Sequence, residues 1–432
     1  QAQPPAQPPL PGQPAQPPGG RGPAPLPGNV FPAPPPETHY RFYWSTPFVL
    51  SAHDPRTIYL GAERLFRSPS RGDTWSASDD LTNAIGRNDR PIMGVPGTAP
   101  MASKHDGAAS YSNIVTISES PAAAGIVWVG TNDGNVQVSR DAGATFANVT
   151  GAIAGVPKET HVSRVEASHV APETAYVTFD GHRTDDHKPY VFKTTDLGRT
   201  WTSLASNLPE GNVNVIREDP RNPNLLYLGT EYAFYISLDG GRQWKRFMNG
   251  LPTVRIDDIV VHPRDNDLIV GTHGRSIWIL DDITPLQQLS EAVTSADAHL
   301  FEVRPATRWA EDTMLARGLG GAKHFRAPNP PGGATLSYYL KSAGGPVRIA
   351  IADTRGTVIR ELTGTSDAGI NRVQWNLSPF PPAGGQGRGG LGRGSGGLVN
   401  ATAVEPGAYV VRLSAAGREL TTTVLVEPDR LR

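Results

Sequence analysis

The 432-residue sequence contains no cysteine, so neither a disulfide framework nor a thiolate metal site is open to it. It also lacks long hydrophobic runs: no stretch approaches the roughly 20 uninterrupted apolar residues of a membrane-spanning helix. Charge of one sign is missing too. Lys and Arg number 40 against 41 Asp and Glu, which removes the electrostatic motive for binding nucleic acid or an anionic lipid surface. Three chemical signatures are absent as well: a G-x-S-x-G elbow, a His-Glu-x-x-His helix, and a phosphate-cradling glycine loop with its flanking strand and helix.

What is present is enough apolar sequence, 38% of residues, to fill the cores of two or three domains. Residues 1–38 are mostly Pro, Gly, Ala and Gln and read as an extended linker or tail, with too few large apolar side chains to pack. The sequence opens on Gln1 rather than Met, from which we expect an upstream part to have been removed and the protein to act outside the cytoplasm of a bacterium.

From residue 39 to 290 one pattern recurs: alternating apolar strands, a Pro/Asn/Asp turn, a strand ending in Gly-Thr or a near equivalent, then a strand running into a Ser/Thr-x-Asp-x-Gly-x-x-aromatic turn. Four copies of that turn align. They are SPSRGDTW (Ser68, Gly72, Trp75), SRDAGATF (Ser139, Asp141, Gly143, Phe146), TTDLGRTW (Thr194, Asp196, Gly198, Trp201) and SLDGGRQW (Ser237, Asp239, Gly241, Trp244). The hydroxyl and the carboxylate can accept backbone N–H bonds inside a tight hairpin, Gly supplies a positive φ, and the aromatic ring packs between neighbouring sheets. These residues are therefore read as structural. The first copy carries Ser70 where the others carry Asp and should be the weakest.

Small sheets that cover their apolar faces only against neighbours must pack radially. The expected fold class is all-β: five β-propeller blades over 39–290, a connector over 291–326, and an Ig-like β-sandwich over 327–432 interrupted by a Gly-rich loop at 381–400. The stretch from about 82 to 112 is too long for a turn and should be an excursion over one face.

With four Asp boxes, the run GTHGRSIWILDD (271–282) and the terminal sandwich, residues 39–430 resemble the bacterial Asp-box (BNR) repeat proteins described as glycosyl hydrolase-like, whose propeller is similar to the ten-bladed domain of sortilin. The resemblance implies that these five blades are half of a ten-bladed propeller, completed by a missing N-terminal half or by a second subunit. The alternative is a closed five-bladed ring in which HYRFYW (39–44) supplies the outer strand that the fifth unit lacks. No Arg-Ile-Pro motif precedes the boxes, which argues against a sialidase. The two opposed carboxylates of a xyloglucanase-like mechanism cannot be matched by motif.

If strands alternate in direction within a blade, the residues after each Gly-Thr lie at the end opposite the Asp boxes. That places Glu63, Asp133, Asp180, Glu231 and His273 on one face, with Arg275 beside the last. Such a ring suits a polysaccharide or a peptide, and Asp133, Glu231 and Glu63 are the candidate catalytic carboxylates for glycoside cleavage. For any one of these acids a turn-capping role is the more common reading. In the third unit, FDGHRTDDHKPY adds His182, and Asp180, Asp185, Asp186 and His187 are candidate ligands for calcium, although no cofactor is required. The functional expectation is an extracytoplasmic propeller that binds or cleaves polysaccharide, the alternative a sortilin-like module that binds peptide or protein without catalysis.

Overall fold

The computed structural model describes residues 40–91, 94–100, 111–309, 329–379 and 403–429. The proline-rich segment 1–38 and the Gly-rich loop 381–400 lie outside the described residues, as does 310–328.

Five antiparallel sheets follow one another along the chain, each laid down in sequence order from an inner to an outer strand. Blade 1 comprises Phe48–Leu50, Ile58–Gly61, Leu65–Ser68 and Ser76–Ala77; blade 2 comprises Ile114–Glu119, Val127–Thr131, Val136–Ser139 and Ala147–Asn148. Blade 3 is built from His161–Ala167, Ala175–Asp180, Tyr190–Thr194 and Thr202–Ser203, and blade 4 from Val213–Glu218, Leu226–Thr230, Phe234–Ser237 and Lys245–Arg246. Blade 5 has Ile256–Val261, Leu268–Thr272 and Ile277–Leu280. The second strands VWVGT and LYLGT are buried at every position because blades cover both of their faces, which is why they read as continuous apolar runs.

Hydrophobic clusters join blade 1 to 2, 2 to 3, 3 to 4 and 4 to 5; among the described residues none joins 5 to 1. Among the described residues the five blades form a β-propeller arc with two open ends. The expectation that residues 39–44 would pair with blade 5 and close a ring is corrected here. The described part of that segment lies on blade 1 instead: the Arg41 N–H donates to Glu63 at 2.6 Å, and Tyr40 and Phe42 pack on Phe66 at 4.7 and 6.2 Å between ring centroids. An aromatic contact and a charged hydrogen bond outcompete a distant strand edge.

Local chemistry explains the four recurrent turns. In blade 2, Ser139 Oγ accepts the Gly143 N–H (2.8 Å) and donates to Asp141 (2.7 Å), whose carboxylate takes the Thr145 N–H (2.9 Å) and hydroxyl (2.6 Å). Ala142 (φ 59°) and Gly143 (φ 88°) are both left-handed, which aims the Ala142 N–H at the Gly125 carbonyl of the neighbouring turn. Thr194/Asp196 and Ser237/Asp239 repeat the arrangement. Hydrogen bonds from the Thr145 and Thr200 side chains and backbones hold Asp141 and Asp196 down at about 2.

In blade 1 the Ser70 hydroxyl takes the carboxylate's place, accepting the Thr74 N–H at 2.9 Å. A neutral acceptor makes a weaker bond than an ionised one. Ser70→Asp is expected to raise the unfolding temperature at pH 7 by a few degrees, and the gain should vanish as pH falls from the ordinary carboxylate range towards 2. Thermal melts at pH 7 and pH 2 check this.

The aromatic residue that ends each turn packs back onto the preceding blade. Trp201 meets Trp128 edge-on at 6.0 Å, and the buried Trp244 donates its indole N–H to the Leu204 carbonyl at 2.8 Å. Trp75, expected to sit between sheets, does not: it is 45% exposed, and among the described residues no blade packs on that side.

Two further sheets enclose one core built around Leu336, Tyr338, Ile349, Ile351, Trp375, Val411, Leu413 and Val424. One sheet is Ala298–Leu300, Ala334–Leu340 and Gly369–Trp375; the other is Ala306–Arg308, Arg418–Pro428, Gly407–Ala415, Arg348–Ala352 and Val358–Thr363. The sandwich thus takes two strands from the segment read as connector, Ala306–Arg308 running parallel to the last strand. Both are too short to show a period in sequence. Arg372 of the sandwich donates to the Asp281 and Asp282 carbonyls at the end of blade 5, at 3.0 and 2.8 Å.

Candidate functional site

The hairpins between second and third strands carry the residues expected on one face, and the structure divides them. Glu63, Asp133 and Asp180 are buried and bonded. Glu63 grips the crossing segment at Arg41, while Asp133 accepts the Asn83 N–H (2.8 Å) and the Thr131 hydroxyl (2.5 Å), fastening the start of the 82–112 excursion. Asp180 accepts the His182 N–H at 3.0 Å and lies 2.6 Å from its Nδ1. Burial opposes ionisation of Asp180, but these bonds outweigh it and hold the carboxyl below its usual range. A carboxylate spent on backbone donors inside a turn is a poor nucleophile or base.

Glu231, His273 and Arg275 have different surroundings. The Oε2 of Glu231 is buried without a hydrogen-bond partner, 3.9 Å from His187 Nδ1. His273 is exposed and pairs with Asp257 at 3.1 Å, and Arg275 points to solvent beside it. The candidate calcium ligands do not converge: Asp180 is engaged with His182, Asp186 accepts the Tyr190 hydroxyl at 2.7 Å, and Asp185 is 99% exposed, 3.3 Å from His187. Among the described residues no three His, Asp or Glu side chains are grouped to hold a cation.

The structure assembles a cleft between blades 2 and 3 on this same face that the repeat pattern had not marked. Arg90 donates to the Tyr111 hydroxyl, stacks over its ring at 4.9 Å and pairs with Glu159 at 3.2 Å. His161 lies opposite, its Nδ1 buried and unpartnered, with the Tyr43 ring 6.5 Å away and Arg183 bonded to the Tyr43 hydroxyl at 3.0 Å. Burial, and then the Arg183 charge, push His161 down to about 3, so the imidazole is neutral at pH 7. Burial likewise pushes Tyr111 up to about 12. The cleft encloses about 40 Å³, room for one hydroxyl or one water rather than a sugar ring. A wider groove of about 330 Å³ runs beside the third blade's hairpin along Lys188, Pro189, Tyr190 and Phe192.

Two further sets of polar residues escaped the sequence reading because they sit inside apolar strands. On the inner strands, Arg217 bonds Glu166 (2.5 Å), Asp258 (3.0 Å) and the Ile259 carbonyl (2.7 Å), and Arg164 shares Asp258 at 2.8 Å, tying blades 3, 4 and 5. Between blades, Tyr59 donates to Glu119 of the next blade (3.2 Å) and Tyr176 to Glu218 of the next (2.8 Å). Burial and the adjacent carboxylate push the Tyr59 phenol up to about 12, and Tyr176 higher still. In blade 2 the matching residue is Trp128, which shares a core cluster with Ala167 of blade 3, and its indole N–H has no hydrogen-bond partner. A polar residue mid-strand, repeated at one register position, was the available signal.

No family model matches the chain, and neither does any curated protein. Among solved structures it is similar to the GH74 xyloglucanase from Xanthomonas campestris, at 20% identity over 56% of this chain and 37% of that one, with a TM-score of 0.42. The GH74 enzyme from Niastella koreensis matches at 14% identity over 87% of this chain and 56% of that one, TM-score 0.38. YCF48 from Cyanidioschyzon merolae matches at 19% identity over 40% and 56%, TM-score 0.26. The chain spans less than two thirds of the length of each. Likenesses of this size carry no argument about chemistry, and the β-propeller fold stands on the sheets and interblade cores of the chain itself.

Proposed function

We propose that the chain is a ligand-binding propeller that takes an extended polysaccharide across the second-to-third strand hairpins of blades 2 to 4, acting outside the cytoplasm. The observation that carries this reading is the pair of orphaned buried atoms on that face, His161 Nδ1 and Glu231 Oε2. Buried polar groups are nearly always hydrogen-bonded, and a hydroxyl, which both donates and accepts, satisfies either. Tyr43, Tyr111, Arg90 and Arg183 supply the aromatic and planar cationic surfaces that sugars and their substituents stack on. Recognition without turnover is favoured because Glu63 and Asp133 are committed to backbone donors.

The test is a glycan-binding panel with the full chain. His161→Ala and Glu231→Ala are each expected to weaken the best ligand by about tenfold, since a lost hydrogen bond to a charged or buried group contributes about 1.5 kcal/mol. Absence of binding to any glycan, with a peptide bound instead, would establish the sortilin-like alternative. A second reading, glycoside hydrolysis, rests on Glu231 alone, the one candidate catalytic carboxylate that keeps a buried oxygen without a hydrogen bond. Glycan turnover abolished by Glu231→Ala would support it.

A further inference from the structure

Around the cleft between blades 2 and 3 the acceptors are used up before the donors. Glu159 is paired with Arg90 at 3.2 Å, and Asp180 lies 2.6 Å from His182. Asp133 is spent on the Asn83 N–H and the Thr131 hydroxyl, and the hydroxyls of Thr160 and Thr184 donate to the Pro157 and Gly181 carbonyls. Arg183 has no carboxylate of its own. Its guanidinium donates to the Tyr43 hydroxyl at 3.0 Å, and among the described residues it makes no ion pair. Most of its N–H donors are therefore open, and an arginine cannot accept a hydrogen bond or give up its charge.

His161 lines the same cleft, with Nδ1 buried and without a partner. Burial first, and the Arg183 charge second, keep the ring neutral at pH 7. That the guanidinium acts on the imidazole shows that the two side chains share one space. In its Nδ1–H tautomer the neutral ring is a donor, like the arginine. A hydroxyl would satisfy the imidazole alone and leave the guanidinium uncompensated. A planar anion with two oxygens serves both groups, through the charge-assisted geometry for which the guanidinium is shaped.

The size of the cleft points to the same group. Its volume of about 40 Å³ admits one oxygen, and the exposed Arg183 at the rim is placed for the second. A sulfate would bring its remaining oxygens against Glu159 and Asp180, which line the cleft as well. The arginine is also held ready: Tyr43 tethers it, and the Thr184 N–H closes the turn beneath it on the Gly181 carbonyl at 2.9 Å. A donor fixed in advance loses less freedom when the ligand arrives.

We infer that the polysaccharide is acidic, the carboxylate of a hexuronic acid unit placing one oxygen on the His161 Nδ1–H and the other on Arg183. This rests on the polysaccharide reading above and narrows it to chains that carry uronic acids.

Calorimetric titration of the full chain with polygalacturonate, alginate and hyaluronate, each beside its carboxyl-reduced neutral counterpart, tests the inference. At least one uronate polymer is expected to bind about tenfold more tightly than its reduced form, the usual effect of a hydrogen bond to a charged group. Arg183→Gln keeps a planar donor at an exposed position but removes the charge, and should bring the two forms close to parity. Arg183→Lys should retain much of the preference. Acidic and reduced forms bound alike, a preference indifferent to Arg183→Gln, or dextran sulfate bound more tightly than every uronate would each overturn the inference and leave the polysaccharide reading standing. Failure to bind any glycan, neutral or acidic, would remove both.

Discussion

Replacing Arg217 by Met is expected to destabilise the propeller by about 3–5 kcal/mol at pH 7, the usual effect of removing one partner from a buried ion pair. The guanidinium makes three separate contacts, to Glu166, Asp258 and the Ile259 carbonyl, and so holds the inner strands of blades 3, 4 and 5 in register. Methionine fills much of the same volume, so the loss reports the charge rather than a cavity. The reason for the size is Glu166, 5% exposed in its side chain, which would keep only His169 at 3.6 Å.

The sign of the pH dependence follows from the same residue. In the wild type, burial works against the Glu166 carboxylate, but Arg217 and His169 hold it below its ordinary value of 4.5. Its contribution is therefore present above that value and is lost as pH falls through the lower folded value. In the variant the buried carboxylate has lost its main counter-charge, its pKa rises, and protonation relieves it as pH falls. The gap between wild type and variant should narrow from pH 7 towards pH 4. Denaturant titrations at the two pH values measure it, and Arg217→Met combined with Glu166→Gln should recover most of the loss at pH 7. A gap that stays constant across that range would mean that Glu166 is not what the arginine protects.

Gly130→Ala is the second large expectation, and its force lies in a control written into the sequence. Val129-Gly130-Thr131, Leu228-Gly229-Thr230 and Val270-Gly271-Thr272 are near-identical second-strand endings. At Gly130 a methyl group would sit 2.4 Å from Val162 Cγ1 and 2.8 Å from Thr116 Cγ2, distances that no packed carbon tolerates, so blades 2 and 3 must separate. Overpacking of this kind typically costs about 1–3 kcal/mol, which lowers the unfolding temperature by several degrees in a domain of this size. Gly229→Ala should behave alike, with Ile256 at 2.7 Å. Gly271→Ala should leave the stability of the single chain unchanged, because the nearest neighbour is 3.6 Å away. Equal losses at all three glycines would refute the open arc.

The residues most legible in the sequence were those whose roles are local. Ser139, Asp141, Gly143 and Thr145 close one hairpin through bonds spanning at most four residues, so their spacing encodes their geometry. The candidate binding face was legible only in part. Counting residues after Gly-Thr located the hairpins correctly, but it could not tell that Asp133 is consumed by Asn83, fifty residues away, while Glu231 keeps a free oxygen. His161 and Arg217 carry no motif; their importance comes from partners on other blades.

By itself the sequence determined the repeating unit: which stretches alternate as its inner strands, which hairpins carry the carboxylate staple, and that small amphipathic sheets must stack on one another. It determined these because turn chemistry and strand alternation are set within a few residues. Tertiary structure alone decided that the stack is an open arc, that residues 40–44 lie on blade 1 rather than completing blade 5, and which acids are used up in turns. Those outcomes depend on competition between contacts dozens of residues apart, and a blade's sequence looks the same whether or not a neighbour is there to cover it.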